Sequence, residues 1–216
     1  MRCLIVLCLC SFLISGCIAN LPPPRASQPI ALEAFLLDET FETRGDWDVY
    51  HKQGLFADVV EGSYRLETTL RQYAAILKPA AWEDVIVEAE FYLRSPGTQA
   101  IYGLMCRAQS GGKGYYFLVS GDGAFSIRRG DENILKPLVQ WQNTSAFRRD
   151  VPRQRLRAIC SGEYLALYIN DQFVGETTDH LYHRGNIGLV ASVPPRAPEG
   201  TQVQIDVDSV RVWEAR

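Results

Sequence analysis

The chain has 216 residues, 47% of them apolar, with 22 basic and 25 acidic side chains and a formal charge of −3. That composition fits a globular protein of one domain, or at most two small ones, and excludes intrinsic disorder, collagen and coiled coil. The near-neutral balance argues against nucleic acid as a partner, because phosphate binding needs a basic excess.

Arg2 precedes an apolar run from Cys3 to Ile14, interrupted only by Ser11, which leads into Ser15-Gly16-Cys17. A positive residue, a short apolar segment and small residues make a secretory signal over residues 1–16. The run is too short for a bilayer span, which takes ~20 residues. Ile14-Ser15-Gly16-Cys17 resembles the bacterial lipobox. The resemblance implies cleavage before Cys17, diacylglycerol on its sulfur, and anchorage outside the cytoplasm in a bacterial cell envelope. A plain signal with a chance cysteine is the alternative.

Residues 17–35 contain Leu21-Pro22-Pro23-Pro24 and Pro29, which read as an extended tether, with one short helical turn conceivable from Ser27 to Leu37. From residue 36 to 216 the hydrophobic period is two. Tyr64–Glu67, Val85–Leu93, Phe125–Arg128 and Val203–Val212 alternate, while Tyr115–Ser120 and Tyr164–Ile169 are apolar runs of strand length. Turn signals separate them, among them Glu61-Gly62, Gly121-Asp122-Gly123, Arg129-Gly130-Asp131 and Asn170-Asp171. This spacing predicts an all-β domain of roughly a dozen strands, a sandwich or barrel.

The signal removes Cys3, Cys8 and Cys10, lipid occupies Cys17, and Cys106 and Cys160 remain. Both fall on inward-facing strand positions. An exported chain commonly pairs such cysteines, although two buried thiols would fit the same pattern.

The ordered series Asp38-Glu39-Thr40-Phe41, Glu61-Gly62-Ser63-Tyr64, Tyr102–Arg107, Tyr115–Gly123, Leu165–Gln172 and Ile205–Val212 resembles the concanavalin A-like jelly rolls of exported bacterial proteins, with laminin G-like and sugar-hydrolase-like modules among them. The resemblance implies a two-sheet antiparallel β-sandwich whose first and last strands pair. It leaves the activity open, since this fold carries lectins, hydrolases and structural modules.

Glu88 and Glu90 share one strand face, at a separation of ~6.6–6.8 Å between Cα atoms. Retaining glycosidases hold their carboxyls ~5–5.5 Å apart, so this pair is the candidate for hydrolysis. Laminarinase-type relatives carry a third acid, and here Tyr92 and Arg94 follow instead. Arginines such as Arg107 or Arg128 facing the two acids would make them a solvated face. Asp206 and Asp208 suggest a structural calcium, with Asp208 and the Gly62 carbonyl as the two nameable ligands of the six to eight required. His180-x-x-His183 beside Asp179 is too sparse for zinc. Tyr92, Tyr116 and Trp141 are candidate sugar-stacking rings, with Arg94 and Arg107 as hydrogen-bond donors. The expected protein is therefore a lipid-anchored, non-catalytic module that binds a glycan or an envelope protein.

Overall fold

Alternating sequence becomes strand almost wherever it occurs. The computed structural model describes residues 24–95, 100–132 and 134–216; the signal and Cys17 lie outside the described residues. Fifteen strands run through these: β1 (Leu32–Glu39), β2 (Tyr50–Lys52), β3 (Leu55–Val60), β4 (Ser63–Thr68), β5 (Ala74–Trp82), β6 (Val85–Leu93), β7 (Ile101–Ala108), β8 (Gly114–Ser120), β9 (Ala124–Asp131), β10 (Ile134–Asn143), β11 (Arg153–Ser161), β12 (Tyr164–Ile169), β13 (Gln172–Thr178), β14 (Gly185–Ser192) and β15 (Val203–Ala215).

Nine strands form one sheet in the order β13-β12-β11-β6-β15-β4-β3-β2, with β1 also on β15. The other six form a second sheet, β10-β9-β8-β7-β14-β5. Every pairing is antiparallel. The long β15 serves as a spine. One of its edges pairs with β6, and the other is shared by β4 along Val203–Val207 and by β1 along Val210–Ala215. The first and last strands therefore pair, and the two-layer antiparallel sandwich is the expected jelly-roll class.

The core lies between the layers. Val85, Val87, Ala89 and Phe91 of β6 and Leu156 and Ala158 of β11 face Tyr102 and Leu104 of β7 and Tyr115, Phe117 and Val119 of β8. Cys106 and Cys160 form a disulfide across the layers, with Cα atoms 6.7 Å apart and a sequence separation of 54. A loop of that length stabilises the fold by about 4 kcal/mol on the chain-entropy view. A second apolar cluster covers the outer face of the six-stranded sheet, where Ile101, Met105, Tyr116, Leu118 and Val190 are buried. The β12–β13 hairpin turns on Asn170 and Asp171, both at positive φ (50° and 65°), as a tight two-residue turn requires.

The sequence expectations need four corrections. There is no helical turn at Ser27–Leu37, because β1 begins at Leu32, before the expected domain start. The preceding segment is docked rather than free. The Ser27 N–H donates to Glu176 (2.9 Å), Ile30 packs on the outer apolar cluster of Ile86, Ile159 and Tyr164, and the Ala31 N–H donates to the Arg216 carbonyl (2.9 Å). Arg129-Gly130-Asp131 continues β9 instead of turning. Finally, alternation would send Arg107 outward beside Met105, where a ligand might be met, but it is buried. β7 carries one more residue than β14 between Met105 and Ala108, and Arg107 takes a positive φ of 50° at this bulge. Its side chain crosses the end of the sandwich and donates to the carbonyls of Glu83 (2.8 Å), Gly162 (2.7 Å) and Tyr182 (2.9 Å) and to Asp84 (2.7 Å). Arg107 is a brace between turns, with four of its five N–H donors spent on these acceptors and its side chain buried.

Candidate functional site

Alternation on β6 points Ile86, Glu88, Glu90 and Tyr92 away from the core. On β11 it points Arg153, Arg155 and Arg157 the same way, and the register sets Arg157 opposite Glu88 and Arg155 opposite Glu90. Arg157 donates to Glu88 (2.8 Å), Arg153 pairs with Glu90, and Arg155 and Arg157 both reach Asp171. The two carboxylates are thus occupied by guanidinium groups, and the facing arginines are Arg153 and Arg157 rather than Arg107 or Arg128. An acid and nucleophile flanking a scissile bond need carboxyls free to act on it; here each is held by an arginine, and the cavity beside Glu90 is lined by Arg148, Arg153 and Arg155.

Farther along this face Asp206 is buried. It accepts from Arg65 (2.8 and 3.2 Å) and from Arg94 (2.9 Å). Burial alone would raise its pKa, but the bonds from Arg65 and Arg94 hold it below the usual carboxylate range. Arg94 also lies over the Tyr92 ring, 5.5 Å from its centroid. Arg94 and Tyr92 are therefore engaged with each other and with Asp206. Asp208 is the extra residue where β15 bulges against β6, and it accepts from the Ser63 hydroxyl (2.9 Å). No group of three His, Cys, Asp or Glu side chains converges among the described residues, so Asp208 and the Gly62 carbonyl remain the two nameable calcium ligands. Asp179 is likewise committed, to Tyr115 (2.7 Å) and Arg129, rather than to the neighbouring histidines.

Tyr116 and Trp141 lie on the opposite face of the molecule, outside the six-stranded sheet. Tyr116 is buried and donates to the Gly112 carbonyl (2.9 Å), while Trp141 is half-buried with Arg128 5.4 Å from its ring centroid. The five candidate contact residues are thus divided: Tyr92 and Arg94 on one face, Tyr116 and Trp141 on the other, and Arg107 inside.

The geometry instead builds a pocket at one end of the sandwich. Its volume is about 270 Å³, and its walls include Leu93, Tyr102, Phe147, Arg149, Asp150 and Gln154. Five elements contribute: the end of β6, the start of β7, the β8–β9 turn, the 144–152 loop and the start of β11. The buried Gln154 side chain pins that loop. It accepts from the Arg148 N–H (3.1 Å) and donates to the carbonyls of Arg148 (2.7 Å) and Val151 (3.0 Å). Asn170, in the hairpin turn, donates to both Gln154 (2.8 Å) and the Ala146 carbonyl (2.9 Å). Gly123, at φ +90°, lets the Arg149 side chain lie against the backbone; a Cβ there would come within 2.6 Å of Nε. The floor contains Tyr102, fully buried, whose hydroxyl has no hydrogen-bond partner among the described residues. Sequence reasoning missed this pocket. Its only written signals were the exposed Arg148-Arg149-Asp150 run and a polar Gln154 at an inward position of β11.

No family model matches the chain, and no curated protein matches it in sequence. Solved structures do resemble its fold. The carbohydrate binding module CBM66 from Bacillus subtilis matches with a TM-score of 0.62 at 16% identity, over 79% of this chain and 97% of that one. A galectin-like protein of unknown function from Bacillus subtilis matches at 0.62 and 15% identity, over 87% and 99%. The catalytic domain of an endo-1,3-beta-glucanase (laminarinase) from Thermotoga petrophila RKU-1 matches at 0.61 and 9%, over 86% and 100%. At these identities the likeness establishes the jelly-roll fold alone. No helix among the described residues is long and apolar enough to cross a membrane.

Proposed function

We propose that this chain is a lipid-anchored module of the bacterial cell envelope that binds glycan without cleaving it. The observation that carries the reading is a contrast. Glu88 and Glu90, the pair considered for hydrolysis, are each ion-paired with an arginine, whereas the end pocket is of a size for a single sugar ring and is lined by both apolar and hydrogen-bonding groups. The fold is one that solved carbohydrate-binding and glycan-cleaving proteins also use. The lipobox-like Ile14-Ser15-Gly16-Cys17 and the Cys106–Cys160 bridge support an exported, anchored protein.

Two measurements test this. Affinity electrophoresis against a panel of polysaccharides should show retardation by at least one, and a reducing-end assay on the same polymers should show no release. Sugar release that is lost in Glu88→Gln would replace the reading with a glycoside hydrolase. Capture of an envelope protein, with no polysaccharide bound, would replace the glycan with that protein. Mass spectrometry of the mature N-terminus should find an acylated Cys17.

A further inference from the structure

The charge around the end pocket is uneven in a way that narrows its ligand. On the outer face of the nine-stranded sheet the arginines have carboxylate partners: Arg65 and Arg94 share Asp206, Arg153 takes Glu90, Arg157 takes Glu88, Arg155 takes Asp171 and Arg211 takes Asp38. Arg148 and Arg149 have none among the described residues, and both stand on the loop that walls the pocket. The Arg149 guanidinium lies over Gly123, where a Cβ would meet it, and stays exposed at the pocket wall. A guanidinium without a carboxylate of its own matches an incoming carboxylate through two parallel bonds.

The pocket floor makes a second, independent demand. The buried Tyr102 hydroxyl is a donor without an acceptor, a state that folded proteins rarely leave uncorrected. Burial keeps its proton on, and Tyr102 is among the residues lining the pocket, so a ligand oxygen entering there would supply the missing acceptor. Leu93, Phe147 and Pro152 offer an apolar wall beside it, and Asp150 offers an acceptor for hydroxyl groups.

We propose that this pocket binds the terminal ring of an acidic glycan, a uronate-type sugar whose carboxylate is taken by Arg149, whose ring lies against Phe147, and one of whose oxygens accepts from Tyr102. This rests on the glycan-binding reading above and adds the ligand's charge and its place.

The test is calorimetric titration of the full chain in detergent with short oligouronates and with neutral oligoglucosides of equal length. Oligouronates should bind more tightly, with affinity falling as salt is raised. Arg149→Gln should weaken them about tenfold or more. Tyr102→Phe should also weaken them, yet the ligand-free melting temperature should not drop, because the variant deletes an unpaired hydroxyl; a merely structural tyrosine would lower it. Equal binding of both sugars, unchanged in Arg149→Gln, overturns the acid preference and leaves glycan binding standing. Uronate binding indifferent to both variants overturns the site. Failure of every acidic and neutral sugar overturns both readings.

Discussion

Replacing Arg107 by methionine keeps most of the side-chain volume and removes the five donors. Four acceptors then lose a partner: the carbonyls of Glu83, Gly162 and Tyr182 and the Asp84 carboxylate. The Tyr182 carbonyl is fully buried, the other two are part-buried, and Asp84 is about 43% exposed and can turn to water. Each of the three carbonyls left bare costs ~1–3 kcal/mol, toward the low end for the two that are only part-buried, and the exposed Asp84 adds little. The expected loss is therefore about 3–5 kcal/mol, or about 6–20 °C in Tm for a chain of this size. Arg107→Lys reaches only one or two of the four acceptors and should lose about half as much. Arg94→Met, at the surface and with Arg65 still holding Asp206, should lose about 1 kcal/mol or less. Urea unfolding measures all three, provided the slope with denaturant is unchanged. A loss within about 1 kcal/mol of the parent for Arg107→Met would refute the reasoning, since it would mean that water or a neighbour replaces the guanidinium at every acceptor.

Asp58, Asp179 and Asp206 are each raised by burial but brought below the ordinary ~3.9 by hydrogen bonds and arginine neighbours. Depressed folded-state values mean stability that is complete above the unfolded pKa and lost as pH falls through the folded ones. Unfolding free energy should decline below about pH 4, with a shallower acid limb in Asp206→Asn; an unchanged limb would remove Asp206 from the account. Cys106→Ala with Cys160→Ala, or reductant on the parent, should lower stability by about 4 kcal/mol by urea midpoint, and a negligible change would show that the bridge adds nothing. Ile30→Ser should leave the global unfolding midpoint within about 1 kcal/mol while speeding proteolytic clipping between Pro24 and Ala31, because the segment is held by few contacts.

The strands were legible because two-residue alternation directly reports which face is buried; β6 and β11 keep it against each other, and β15 keeps it on either side of its bulge at Asp208. The inward placement of Cys106 and Cys160, and hence their bridge, follows from the same rule. Alternation failed at Arg107 because a bulge resets the face, and one extra residue on one strand leaves no mark in composition. It also gave no means of knowing which sheet a strand joins, and Tyr92 and Tyr116, both candidate stacking rings, are on opposite faces. The pocket was illegible for a related reason. Its walls come from five separated stretches, and what fixes its loop is a long-range bond from the β12–β13 turn, Asn170 to Ala146. β1 was hidden because its residues are mostly exposed, so they lack the apolar contrast that marks an interior strand.

With the proposed lipid anchor in place, the docked segment before β1 would set which end of the body faces the membrane. Ser27, Ile30 and Ala31 are fastened where β6 and β12 begin and where β11 and β15 end. The pocket opens at the other end of β6 and β11, near Leu93 and Gln154. With Cys17 acylated as proposed, the stretch from Cys17 to the fastened Ser27 would reach at most ~36 Å. The sugar-sized mouth would then lie at the end of the body away from the anchor, toward polymers of the wall or medium rather than toward lipid headgroups.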